Sequence, residues 1–286
     1  MTPGPARPPG LDRAALLALR QPRHGRAAII SRVRQHLEEN DGYVAFSGGK
    51  DSLIVLDLAL AAEPNVPVAF FDSGFEFPET YRYLGELIGD WGLARQFHWI
   101  SARQTTLEVL RASAAWDHRR PAPASRADLR DILIAEPASR AHQAHGPGEL
   151  WGVRAQESRG RAALYARSLQ AETAARCSPG CCPPRVQARR GCHGGVIRRT
   201  DGTVAYGPIW DWTADDVWAY IARHRLPVNP VYPKLRRLGA PEHFLRVSHM
   251  LDGGRLEHGR VTWLRRGWPG LFDELACVLP RIREYV

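Results

Sequence analysis

The stretch Ser47-Gly48-Gly49-Lys50-Asp51-Ser52 constrains this chain more than any other. It follows the apolar run Gly42-Tyr43-Val44-Ala45-Phe46 and precedes Leu53–Leu60, which reads as a buried helix. Strand, glycine turn and helix start form the setting in which a loop cradles a phosphate. Glycines let backbone N–H groups approach an anion closely, and the helix N-terminus adds the positive end of its dipole. Ser47 and Ser52 add hydroxyl donors and Lys50 a point charge. Asp51 is out of place among anion binders unless it holds a metal ion or orients a neighbour. Of the 39 Lys+Arg residues only Lys50 and Lys234 are lysines. A lysine inside the glycine loop therefore suggests that a compact ammonium is wanted there rather than a planar fork. The plainer reading is a tight strand-to-helix turn with no ligand.

The rest of the chain reads as alternating strands and helices. Helices are expected over 25–39, 52–61, 78–90, 104–115 and 125–144, and strands over 43–46, 67–71, 96–100 and 149–153. Such alternation builds right-handed βαβ units, hence an α/β fold: a Rossmann-like, mostly parallel sheet with helices on both faces. After a helix near 161–175, a Cys- and Arg-rich irregular insertion spans about 176–195. Asp201-Gly202 between two short β-like runs signals a hairpin. Thr213 fits an N-cap for a helix ending near Arg223. Helices are expected near 241–249 and 270–283. Residues 1–24, rich in Pro and Arg, read as a flexible tail, 25–225 as one domain, and 226–286 as an extension packed on it.

Charged residues at 24% and hydrophobic ones at 44% are ordinary for a soluble globular chain. No apolar run approaches the ~20 residues of a membrane span, and the start lacks a signal-peptide core, so a cytoplasmic protein with no membrane partner is expected. There, cysteines serve as thiols, metal ligands or redox groups more often than as structural disulfides. The net charge of +9 permits a nucleic-acid partner and equally suits an anionic small substrate. The basic pairs, such as Arg119-Arg120 and Arg265-Arg266, are scattered rather than gathered on one helix.

In an open parallel sheet, ligands bind beyond the carboxyl ends of the strands, where chain order reverses. Three segments qualify. The first is the Ser47–Ser52 loop. The second is Asp72-Ser73-Gly74-Phe75-Glu76-Phe77-Pro78-Glu79-Thr80, in which Asp72 ends a strand, or alternatively caps a helix, and Gly74 allows a turn. The third is Gly152-Val153-Arg154-Ala155-Gln156-Glu157-Ser158-Arg159-Gly160-Arg161. It has three arginines at the end of a strand, suited to sulfate, phosphate or carboxylate unless they are plain surface charge.

Together these segments carry a resemblance. Ser-Gly-Gly-Lys-Asp-Ser resembles the pyrophosphate loop (PP-loop) of the ATP pyrophosphatases. Residues 72–80 and 152–159 resemble the phosphoadenosine phosphosulfate (PAPS) reductase-like branch, as do Tyr206–Trp218 and Asn229-Pro230-Val231-Tyr232. The resemblance implies an adenine-nucleotide α-hydrolase fold with a nucleotide in the first loop. In ATP-using members the α–β phosphate bond is cleaved, an acceptor oxygen is adenylylated and pyrophosphate leaves. By that likeness Ser47, Gly48, Gly49, Lys50, Asp51 and Ser52, with Asp72, Ser73 and Gly74, bind ATP. Asp51 and Asp72 orient Mg²⁺, which prefers carboxylate and phosphate oxygens. Arg154, Arg159 and Arg161 hold the second anion, and Glu157 orients them.

Two departures shape the expectation. PAPS reductases end with a nucleophilic cysteine beside glycine and histidine, whereas this chain ends Ile282-Arg283-Glu284-Tyr285-Val286, and Cys277 reads as part of a buried helix. Reductases also usually carry a degraded first loop, so the intact loop here favours ATP. The remaining cysteines, Cys177, Cys181, Cys182 and Cys192, follow C-x3-C-C-x9-C with His193 adjacent. Four thiols so close could hold an iron–sulfur cluster or Zn²⁺, relay sulfur as a persulfide, stay free or pair as a disulfide. Relatives that transfer sulfur, including enzymes of DNA phosphorothioation, pair such a loop with a cysteine-bound cluster. The expected protein is an ATP-dependent adenylylating enzyme, with onward sulfur transfer as an open extension of that role. It would act on an anionic small-molecule or nucleic-acid acceptor, with a sulfur-donor protein as a further partner, and as a homo-oligomer. Sulfonucleotide reduction, sulfate adenylylation and a non-catalytic nucleotide- or nucleic-acid-binding role are the rivals.

Overall fold

The computed structural model describes residues 13–113, 130–178, 190–247 and 261–286. Helix α1 (Arg13–Ala18) leads to α2 (Arg26–Asn40), β1 (Gly42–Ala45), α3 (Lys50–Ala62), β2 (Val68–Asp72), α4 (Pro78–Asp90), β3 (Phe97–Ser101) and α5 (Thr106–Ser113). One π-type turn (Asp131–Ala135) runs into α6 (Glu136–His145), where Pro137 removes a backbone donor at the helix start. Then follow β4 (Gly148–Leu150), α7 (Arg159–Arg176), β5 (Val196–Arg198), β6 (Val204–Tyr206) and α8 (Ala214–His224). Helices α9 (Val231–Arg237), α10 (Val261–Gly267) and α11 (Pro269–Val278) complete the chain, with a 3-10 turn over Pro280–Tyr285.

Among the described residues, six strands form one sheet in the order β3-β2-β1-β4-β6-β5. All neighbours are parallel except β5 and β6, the antiparallel hairpin signalled by Asp201-Gly202. Helix α3 shows why a parallel sheet is built here: Leu53, Ile54, Val55, Leu56 and Leu58 are all fully buried, so it is apolar nearly all round. The core they begin continues through Tyr206, Val217, Val231 and Leu235 to Leu275 and Ile282, so residues beyond 226 share it.

Several elements differ from the sequence reading. Strand β4 stops at Leu150, three residues short of the expected end, because Gly152 turns in against α3. Of the helix expected at 241–249 only one 3-10 turn, Glu242–Phe244, is present, and 248–249 lie outside the described residues, as do 114–115 and 125–129. Helix α11 ends at Val278, since Pro280 cannot continue it. Cys277 is helical as expected but exposed rather than buried. Helix α9 was not foreseen; its Pro233 is accommodated because proline is tolerated in a first helical turn.

Residues 13–24, read as part of a mobile tail, are docked. Arg20 Nε and Arg23 Nε donate to Asp216 at 2.9 and 3.1 Å, and His24 Nε2 lies 2.9 Å from Asp211 Oδ2. Asp216 also completes the N-cap expected at Thr213: Asp216 N donates to Thr213 Oγ1 at 3.2 Å, and Thr213 N donates to Asp216 Oδ2 at 2.8 Å. Burial pushes the Asp216 carboxyl up, but the Thr213 bonds, Arg20 and the charge of Arg23 outweigh it and hold the group below its usual 3.8. A depressed carboxyl stabilises the fold above its unfolded pKa, and the contribution is lost as pH falls through the folded value. Asp216→Asn is therefore expected to unfold at lower urea than the parent near neutral pH, and the gap should narrow steadily as the pH falls below the group's usual 3.8.

Candidate active site

Strand β1 is the switch point of the sheet: β2 and β3 lie on one side of it and β4 on the other. Val44 pairs with both Val68 and Leu150, so the chain beyond β1, β2 and β4 emerges at one edge. All three segments expected to bind anions thus meet there, in the crevice where open α/β sheets bind ligands.

The Ser47–Ser52 loop is held open from within. Gly48 has φ +69, a left-handed conformation that a side chain resists, and Gly49 is the extended N-cap of α3. Buried Ser52 organises the turn: its Oγ accepts from Ser47 N at 3.2 Å and donates to Gly49 O at 3.1 Å. With its proton so used, Ser52 shapes the loop, whereas Ser47, exposed, is the hydroxyl at the surface. The amides of Gly48, Gly49, Asp51 and Ser52 have no acceptor among the described residues, whereas Lys50 N donates to Tyr232 Oη at 2.9 Å. Burial above all, with the nearby Asp51 charge, pushes the Tyr232 phenol up, so it stays protonated. Having accepted from Lys50, it keeps its own O–H to give.

Asp51 lies between two cations. Lys50 Nζ reaches its Oδ2 at 2.7 Å and Arg154 Nε its Oδ1 at 2.6 Å. The Arg154 side chain is only 5% exposed, and its Nη1 donates to Trp212 O at 3.2 Å. Arg154 thus faces Asp51 rather than open solvent. Glu157 Oε2 accepts from Arg154 N at 2.9 Å and also from Arg161 Nη1, so it ties two of the three predicted arginines. Arg159 and Arg161 are exposed at the start of α7, where Ser158 Oγ caps the helix by accepting from Arg161 N.

Asp72, which ends β2 and caps no helix, accepts from Gly74 N at 2.9 Å and Tyr81 Oη at 2.8 Å, both through Oδ1. Its Oδ2 accepts nothing from the described residues. Ser73 Oγ donates to Glu76 Oε1 at 2.7 Å, which fixes the turn around Gly74.

The site has a further wall that the sequence reading left without a role. Asn229 Nδ2 donates to Gly48 O at 3.3 Å and to Thr80 Oγ1 at 3.0 Å. Lys234 Nζ and Trp268 Nε1 grip the two oxygens of Glu79 at 2.6 and 2.7 Å. The segment after 226 is therefore bound to the loop by Asn229 and Tyr232. The signal was available, since Asn229–Tyr232 belongs to the quoted resemblance.

The cysteines stand apart. Cys177 follows α7, Cys192 is exposed, and Cys181 and Cys182 lie outside the described residues. Among the described residues no group of three or more His, Cys, Asp or Glu is arranged to hold a metal, and no helix is long and apolar enough to cross a membrane.

The family model of the phosphoadenosine phosphosulfate reductase domain matches residues 42–243. A phosphoadenosine 5'-phosphosulfate reductase of Alkalilimnicola ehrlichii is 29% identical over 252 residues, covering 84% of each chain. One of Xanthomonas campestris is 28% identical over 187 residues, covering 65% of this chain and 64% of its own length. Among solved structures, PAPS reductase of Candida auris in a phosphate complex gives a TM-score of 0.44 at 19% identity, covering 72% of this chain and 84% of its own. The U34-tRNA thiolase NcsA of Methanococcus maripaludis, with its [4Fe-4S] cluster, gives 0.42 at 13%, covering 91% and 81%. Since that family model matches residues 42–243, well over half of the sequence, the chain belongs to the phosphoadenosine phosphosulfate reductase domain family.

Proposed function

We propose that the protein binds ATP with its polyphosphate against the Ser47–Ser52 loop and transfers the adenylyl group to an acceptor oxygen, releasing pyrophosphate. The observation that carries this reading is the set of open amides at Gly48, Gly49, Asp51 and Ser52 at the start of α3, beside the sheet's switch point. These donors and the helix dipole favour the charge that grows on a departing pyrophosphate. Lys50 and the Tyr232 hydroxyl add donors from the side. Asp51 holds the Lys50 ammonium in place, and Arg154 holds Asp51. Positioning and charge neutralisation of this kind are what such a transfer requires of a protein.

The carboxylates differ in their fitness for Mg²⁺. Both Asp51 oxygens already serve cations, whereas Asp72 Oδ2 accepts nothing from the described residues. Asp72 is thus the residue that would hold the ion, which when bound supplies positive charge to phosphate oxygens. Arg159 and Arg161, exposed near the crevice, are the cations through which an anionic acceptor would approach.

A second reading, sulfonucleotide reduction, is favoured by the names of the relatives. Purified protein offered ATP with sulfate or carboxylate acceptors should release pyrophosphate together with an adenylylated product. Sulfite release from PAPS with a thiol reductant, and no pyrophosphate from ATP, would replace the first reading by the second. ATP binding with neither product would leave a sensor.

A further inference from the structure

Away from the loop, helices α2 and α7 are spread over the β5–β6 hairpin and leave a cleft of about 640 Å³ between them. Its position separates it from the phosphate loop: α2 runs into the amino end of β1, while the loop leaves the carboxyl end. Two long ion pairs span the gap, Arg32 to Glu172 at 3.4 Å and Arg176 to Glu39 at 3.1 Å. The first is anchored, since Arg32 Nη2 also donates to Gly194 O at 2.8 Å and Glu172 Oε2 accepts from Gly194 N at 2.7 Å. The walls are thus fixed rather than collapsed, and the volume lies within the roughly 300–1,000 Å³ of small-molecule sites.

The chemistry of the lining is amphipathic and cationic. Leu164, Val196 and Ile197 supply apolar surface. With both glutamates paired, Arg167 and Arg198 remain on the lining with no close ion pair among the described residues, although the Arg198 charge also acts on Glu39. His36 also lines the cleft and is only 5% exposed; its Nε2 makes no well-aligned hydrogen bond, although the Glu149 backbone lies near the ring. A buried polar atom left unpaired is uncommon in a folded protein and marks a place where a ligand or water completes the bonding. Burial pushes the His36 imidazole down to about 4, against the opposing charge of Glu39 and with that of Arg198, so at neutral pH it offers a hydrogen bond and no charge.

We propose that the α2–α7 cleft is a second ligand site, for a small organic anion with an apolar body. The anionic group meets Arg167 and Arg198 and the apolar part lies along Leu164, Val196 and Ile197. Nothing in this depends on the reading of the phosphate loop, and the test keeps the two apart. The probe is 8-anilino-1-naphthalenesulfonate, titrated by fluorescence against folded protein with saturating ATP present. One probe per chain is expected. The Arg167→Ala/Arg198→Ala variant, both of whose side chains are exposed, should weaken binding at least tenfold. Ala171→Trp, placed to fill the cleft from α7, should abolish it. ATP affinity should be unchanged in both, and circular dichroism should show both folded. Binding that neither variant alters, or that ATP displaces, overturns the site. Equal affinity for the uncharged N-phenyl-1-naphthylamine overturns the assignment to an anion.

Discussion

Asp51→Ala is expected to destabilise the folded protein by about 3–5 kcal/mol, because it leaves the buried Arg154 guanidinium without its carboxylate. Residue identity alone predicts that Lys50→Ala and Asp51→Ala behave alike, each losing turnover in a folded protein. The geometry separates them. Asp51 is the common partner of Lys50 and Arg154, and the Arg154 side chain is 5% exposed. Removing Lys50 leaves the Asp51–Arg154 pair intact, so Lys50→Ala should change stability by about 1 kcal/mol or less. Its loss should fall on the reaction instead: withdrawing a charge aimed at a leaving phosphate typically costs about 3 kcal/mol or more of barrier, a hundredfold or greater fall in kcat. Urea unfolding of both variants beside pyrophosphate-release assays distinguishes the two roles. The double variant Asp51→Ala/Arg154→Ala should be more stable than the sum of the single losses implies, since it removes the stranded charge with its partner. An Asp51→Ala protein that unfolds at the parental urea concentration would show that Arg154 does not depend on Asp51.

Much of this arrangement was legible because it is local. A six-residue polar loop between an apolar run and a buried helix announces its own conformation, and Asp72 at the end of a second apolar run follows the same logic. Alternating strands and helices then place both at one edge of a parallel sheet. What stayed hidden depends on contacts distant in sequence. Arg154 looks like an anion binder from its position after a strand, but only the fold shows its Nε given to Asp51. Tyr232 and Asn229 reach the loop from more than 180 residues away, with sequence separations of 182 and 181. The docked segment 13–24 is an instance of the same effect. Arg20 and Arg23, unremarkable in so basic a chain, find one buried carboxylate, Asp216, and that pairing has no periodic signature. The β5–β6 hairpin, by contrast, was readable from Asp201-Gly202 and the two short β-like runs beside it.

Gly152 argues the same dependence from the steric side. In the sequence it is one more glycine in a chain of 26. In the fold its Cα lies against the first turn of α3: a Cβ there would come within 2.7 Å of Ser52 N and 2.8 Å of Asp51 C. Both are backbone atoms of the helix start, so no side-chain rotation can relieve the clash. Gly152→Ala must push the start of α3 and the Gly152–Arg154 turn apart. That shift would turn the Ser52 amide away and lengthen the Arg154–Asp51 bond, now 2.6 Å. Overpacking of this kind costs about 1–3 kcal/mol of stability. The expected effect on turnover is larger, since a displacement of about 1 Å at a positioning site can lose a hundredfold in rate. Gly160→Ala, whose Cβ would meet nothing closer than Ser158 Oγ at 4.0 Å, is the matched control and should leave both properties unchanged. Equal pyrophosphate release by Gly152→Ala and the parent, with ATP saturating, would mean that the β4 turn and the start of α3 need not touch for the reaction, and the site would then have to be sought away from this crevice.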